Sequence, residues 1–105
     1  MRAGQLDRTI MLLSRTITRG TGGEALEAFI AVATVWGARL PLTAREIERE
    51  AIMQAQAEVK FRVRWRGDVK AEWRAQCEGL TYDITGIEEL GRKAGLHLFA
   101  KAAVA

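Results

Sequence analysis

The sequence predicts a mainly β fold: a small β-barrel or sandwich carrying one inserted short α-helix and a long loop. Three observations carry this expectation. Apolar residues recur with period two along most of the 105 residues, most cleanly at Val59, Phe61, Val63 and Trp65. Glycine-rich or acidic turn signals at 20–23, 67–68, 78–79 and 91–95 separate short runs at regular spacing. Only the segment from Thr43 opens like a helix.

In chain order, residues 6–17 read as a first strand, apolar on both faces from Ile10 to Leu13. Gly20, Thr21, Gly22 and Gly23 follow as a flexible loop, because glycine takes turn dihedrals without steric cost. Residues 25–31 suit either a helical turn or an edge strand. Val32 to Leu40 reads as a central strand, ended at Pro41, which has no amide hydrogen for a ladder. Thr43-Ala44-Arg45-Glu46 matches a capping box, in which hydroxyl and carboxylate each accept from the other residue's amide. The helix it opens should run to about Gln56, aided by Arg45 with Glu48 and Glu46 with Arg49 at three-residue spacing. Its apolar face of Ala44, Ile47, Ala51 and Ala55 is thin, so it is expected on the surface or against a neighbouring subunit. In the next strand, Lys60, Arg62, Arg64 and Arg66 point away from the apolar set. Shorter strands are expected at 71–77, at Leu80 to Ile87 and, after a hairpin at Gly91 to Gly95, at Leu96 to Ala100.

Composition narrows the function classes. At this length one domain, 1–105, is expected, with an insertion at about 41–57. The apolar fraction of 49% and charged fraction of 28% exclude wholesale disorder. Sixteen Lys and Arg against 13 Asp and Glu give a net charge of +3, compatible with nucleic-acid contact without demanding it. One cysteine, Cys77, and one histidine, His97, cannot build a Cys/His zinc cage, so no metal or other cofactor is expected. Charged residues interrupt every apolar run short of a membrane span, and no secretory apolar block follows Met1; an intracellular domain is expected.

No catalytic residue emerges. Ser14 lies inside the first strand without an adjacent base. His97, between Leu96 and Leu98, is expected on the solvent or interface side of the last strand. Cys77 stands beside Glu78, whose charge raises a thiol pKa. Glu88 and Glu89 are adjacent on a strand and face opposite ways. The loop at 20–23 lacks the Lys-Ser/Thr of a phosphate cradle. Two readings of the basic face Lys60, Arg62, Arg64 and Arg66 stay open. It is a solvated face ion-paired to residues such as Glu72 or Glu58, or a wall beside DNA holding phosphates without sequence preference. Trp36, Trp65 and Trp73 are expected in the core rather than as stacking platforms.

Several segments in order then carry a resemblance. They are Gly4-x-Leu6-x-Arg8-Thr9-Ile10, the glycine loop, Val32-Ala33-Thr34-Val35-Trp36-Gly37-Ala38 and Leu42-Thr43-Ala44-Arg45-Glu46. Gln54-Ala55-Gln56-Ala57, Phe61-Arg62-Val63-Arg64-Trp65-Arg66 and Gly79-Leu80-Thr81-Tyr82-Asp83-Ile84-Thr85-Gly86-Ile87 complete the set. Together the chain resembles the head–tail joining (head-closure, or stopper) proteins of long-tailed phages and gene transfer agents. It departs from them at its end, Ala100-Lys101-Ala102-Ala103-Val104-Ala105, which lacks a polar finish.

The resemblance implies a structural neck protein of a virion or phage-like particle, assembled in the bacterial cytoplasm, and no enzyme. Identical subunits would form a cyclic ring, six- or twelve-fold. That ring closes the DNA-filled head beneath portal and adaptor proteins and offers a docking surface to tail-terminator or tail-tube proteins, with non-specific contact to double-stranded DNA in the channel. Thr43, Arg45, Glu46, Glu48, Arg49, Gln54 and Gln56 become the candidate channel or subunit-interface segment. Lys60, Arg62, Arg64 and Arg66 become the DNA-proximal or interface face, and Arg19, Gly20, Gly22 and Gly23 a flexible docking loop. The alternatives are a small nucleic-acid-binding barrel using Arg62, Arg64 and Arg66, or a neighbouring neck component, adaptor or tail terminator.

Overall fold

A computed structural model describes residues 7–53 and 57–103. Six strands and one helix follow in the order β1 (Arg8–Arg19), β2 (Ala25–Pro41), α1 (Ala44–Met53), β3 (Val59–Val63), β4 (Arg74–Cys77), β5 (Leu80–Leu90) and β6 (Gly95–Ala102). All pairings are antiparallel, and the sheet closes into a barrel in the order β1-β2-β3-β6-β5-β4. Closure depends on a short ladder in which Ile10–Leu13 of β1 meet Arg74–Cys77 of β4.

Alternation fills the barrel. Ile10 and Leu12, Phe61 and Val63, Ala75 and Cys77, Tyr82 and Ile84, and Leu96, Leu98 and Ala100 are all buried inside, every second residue of their strands. Phe61 and Tyr82 meet edge to face with ring centroids 5.1 Å apart. A bulge in β5 between Ile84 and Gly86 shifts the register, so that Ile87 pairs with Leu98 and Glu88 with His97. Cys77 and Leu80 flank the turn from β4 to β5, where Glu78 (φ 54°) and Gly79 (φ 80°) both take the left-handed conformation of a tight hairpin.

Several expected boundaries move. The first strand, whose expected start at residue 6 lies outside the described residues, is strand from Arg8 and runs on to Arg19 because the ambiguous segment 25–31 is strand and pairs with its second half. That segment and the expected central strand are one, β2, whose last residue Pro41 pairs with Val59. The helix ends at Met53, and Gln54 and Gln56 lie outside the described residues. β3 stops at Val63, short of Trp65, and the expected strand at 71–77 shrinks to Arg74–Cys77, with buried Trp73 just before it. β5 and β6 run on to Leu90 and Ala102.

Trp36 corrects a further expectation: it is 60% exposed. The Ile10–Val35 pair points into the barrel, so the next pair, Thr9 with Trp36, points out. Val35 and Trp36 are both apolar, and only the register decides between them. His97 is on the outer side of β6, as its neighbours Leu96 and Leu98 imply, yet it is buried because α1 lies over it.

Beyond the barrel, β1 and β2 continue as a two-stranded arm. Ser14–Arg19 pair with Ala25–Ile30 after a bulge between Leu12 and Leu13, where the arm leaves the barrel wall. The molecule measures 48 × 31 × 27 Å along its principal axes.

Candidate functional site

α1 is fastened to the barrel by its charged side. Thr43 and Glu46 form the expected capping box: the Thr43 amide donates to Glu46 Oε1 at 2.8 Å, and the Glu46 amide donates to Thr43 Oγ1 at 3.2 Å. The same Glu46 oxygen accepts from Lys60 Nζ at 2.8 Å, tying the first helical turn to β3. Burial pushes the Glu46 carboxyl up, but the Lys60 ammonium and the Thr43 donors outweigh it and hold its pKa down at about 2. One turn on, the Arg49 guanidinium lies 4.9 Å from the centre of the Phe99 ring on β6 and 4.0 Å from Glu88 on β5. Glu50 is buried and accepts from the Ala57 amide at 3.3 Å, which draws the returning chain back to the helix.

Beneath the helix, Arg62 Nε donates to His97 Nε2 at 3.2 Å. That bond requires the imidazole proton on Nδ1, where it donates to Glu88 Oε1 at 3.3 Å. Burial pushes the His97 pKa down; Glu88 opposes this, while Lys60 and Arg62 reinforce it. Glu46, Glu88 and His97 bring donor atoms within 4.8 Å of one another, a set that could hold a metal ion by composition alone. Lys60, Arg49 and Arg62 already occupy those donors with positive charge, which opposes a bound cation.

The consequence is an inverted helix. Glu46, Glu50 and Arg49 face the barrel, and its aliphatic residues face away: Ile47 is 57% exposed and Ile52 76%. The sequence showed the thinness of the apolar face but not that the charged side would be the one to dock. The signal was present in β3, where Lys60 stands ready to pair with a helical carboxylate.

The basic residues therefore do not form one stripe. Lys60 is buried against Glu46, and Arg62 is half-buried against His97. Arg66 is held by both oxygens of Asp68, whose pKa it lowers. Arg64 is exposed. The regular alternation that was to align them ends with β3 at Val63, and their partners are Glu46, His97 and Asp68 rather than Glu72 or Glu58. Glu72 lies instead beside Arg15. On α1, Arg45 and Glu48 are exposed, with no ion pair to any described residue.

The loop at 20–23 is a closed turn at the arm's tip. The Gly20 amide donates to the Glu24 carbonyl at 2.8 Å, the Gly23 amide to the Gly20 carbonyl at 3.0 Å, and Arg19 Nη1 to the Gly23 carbonyl at 3.2 Å. Gly23, at φ 84°, supplies the left-handed residue that the turn needs. The arm's two faces differ. Arg15 and Glu27 pair on one, beside Phe29, over whose ring Arg74 of β4 stacks at 4.0 Å. The other carries the Ser14–Ile30, Thr16–Ala28 and Thr18–Leu26 pairs, with no charge and with Leu26 and Ile30 about half exposed.

Comparison with known proteins adds two findings. A family model described as phage head completion protein matches residues 1–103. The solution structure of protein SF1141 from Shigella flexneri 2a superposes with a TM-score of 0.74 at 23% identity, covering 97% of this chain and 96% of that one, which shows a shared fold. A search of curated proteins found no match.

Proposed function

The chain belongs to the phage head completion protein family, a family of structural virion proteins rather than enzymes, and from that premise we propose that it acts as one subunit of a neck ring. The ring closes the DNA-filled head beneath the portal and adaptor proteins and presents the surface on which the tail docks. Its copies, six or twelve, surround the channel through which the genome leaves.

The observation that carries this reading is the inverted helix. An isolated subunit gains little by turning isoleucines to water while spending its carboxylates on the barrel, since each buried aliphatic side chain contributes about 1.5–3 kcal/mol. A subunit with neighbours recovers that contribution in assembly. The outward side of α1, with Ile47 and Ile52, is then the subunit-interface element, and Arg45 and Glu48 supply polar contacts at its rim. Exposed Arg64 is a candidate for loose contact with passing DNA, and the turn at Arg19–Gly23 for contact with a neighbouring neck protein.

Particles that lack the protein test this directly. Heads are expected to package DNA, lose it, and fail to join tails. Mutant particles that retained their genomes and carried tails would overturn the reading. A density map of the intact neck would show the copy number and which end faces the head.

A further inference from the structure

The arm carries two unpaired strand edges, one on each side. β4 covers β1 only from Ile10 to Leu13, and β3 covers β2 only from Gly37 to Pro41. Among the described residues, the outer edge of β1 from Ser14 to Arg19 and that of β2 from Ala25 to Trp36 have no ladder partner. Open edges are templates for pairing with another chain, and soluble proteins usually blunt them with proline, lysine or shortness. Here residues 8–40 contain neither proline nor lysine. The bulge sits at the arm's base and leaves the ladder beyond it regular.

The two edges differ in charge. Between Ser14 and Arg19, β1 carries Arg15 and Arg19 and no acid; between Ala25 and Trp36, β2 carries Glu27 and no base. An edge that meets its own kind brings like charges together, whereas β1 against β2 brings opposite ones. Within one chain Arg15 and Glu27 already make that pair.

We propose that the β1 edge of each arm adds as a strand to the β2 edge of the arm in the next copy of this chain. The proposal rests on the ring reading and names the contact that builds it. In a ring with one rotation axis all arms point the same way, so β2 of one copy runs antiparallel to β1 of the next, as within each arm. The contact is heterologous, using unlike surfaces, and it closes. The uncharged faces at Thr16, Ala28 and Ile30 then line up as one continuous band.

Single-cysteine variants test it, because native Cys77 is buried and unreactive in the folded chain. Thr16→Cys is mixed with Ala28→Cys, or with Leu26→Cys or Ile30→Cys to cover a stagger of one pair, and oxidised in assembled rings. Disulfide dimers are expected in the mixture and only background in either variant alone. Arg15→Glu and Glu27→Arg are each expected to lose ring formation, and mixing the two folded variants to restore it. Dimers formed by Thr16→Cys alone or by Ala28→Cys alone would mean a symmetric contact and overturn the proposal. Rings that form, by mass, without cross-links in any mixture would overturn it while leaving the ring reading intact. A chain that stays monomeric both free and in purified necks would remove the ring reading, and this proposal with it.

Discussion

The two halves of β1 each carry one isoleucine, and the two isoleucines have opposite fates. From Ile10 to Leu13 the strand is paired on both sides, and Ile10 and Leu12 are wholly buried. From Ser14 to Arg19 it is paired on one side only, and Ile17 is 55% exposed. Composition supplies part of the difference, since Ile10, Met11, Leu12 and Leu13 make the first half apolar and Ile17 stands alone in the second, but the same residue type is buried in one half and exposed in the other. The rest lies in whether a second neighbour arrives: β4 reaches only as far as Leu13. For these two isoleucines, burial follows the neighbouring strands and not the residue type. The barrel is where the chain satisfies itself, and the arm and the outward face of α1 are where it does not.

The sharpest way to break this contrast is to empty the barrel. Phe61 is fully buried and packs on Tyr82, so Phe61→Ala is expected to cost about 3–5 kcal/mol, read as a lower midpoint in urea unfolding. The helix seat comes next. Glu46→Gln leaves the Lys60 ammonium buried beside a neutral group and is expected to cost on the order of 2–3 kcal/mol at neutral pH; Glu46→Gln with Lys60→Met should recover most of it. The carboxyl sits lower when folded, about 2, than its ordinary 4.5, so its contribution is complete above pH 4.5 and is lost as pH falls toward 2. His97, also lowered, adds a loss that begins as pH falls below its ordinary 6.5. Unfolding midpoints across that range should decline in the wild type, and the lower limb should flatten in Glu46→Gln.

Gly37 marks where β3 first pairs with β2, and it sharpens the comparison from the other side. A Cβ there would press on Ile10 and sit 2.9 Å from the Arg62 carbonyl oxygen. Gly37→Ala is therefore expected to destabilise by about 1–3 kcal/mol, although alanine suits a strand better than glycine, because backbone cannot yield as a side chain does. A thermal midpoint equal to that of the wild type would show that β2 and β3 separate more readily than their ladder implies.

How much was legible in the sequence follows the same division. The barrel strands could be read because alternation at Phe61 and Val63, or at Tyr82 and Ile84, reports a buried face directly. The capping box at Thr43 and Glu46 was local and equally plain. The arm was not readable, because Ala25 to Ile30 has the alanine and glutamate of a helix and becomes a strand only through its partner, Ser14 to Arg19. Trp36 could not be placed because both parities of its strand are apolar. The basic run failed for a related reason: Lys60 and Arg62 look solvated until α1, brought over them by the intervening chain, supplies Glu46 and covers His97. Long-range partners decided each of these, and periodicity does not report them.

The smallest expected effect on stability is the most informative about the arm. Ile30 is 54% exposed on the uncharged face, opposite Ser14. Ile30→Ser removes apolar area already in water and keeps the ladder, so the monomer should change by less than about 0.5 kcal/mol. If a neighbouring copy covers this face, the same variant loses apolar burial at every junction of the ring. Sedimentation should then show weaker assembly with an unchanged thermal midpoint. A variant that assembled as well as the wild type would place the arm's apolar face in solvent throughout and confine any contact between arms to the strand edges.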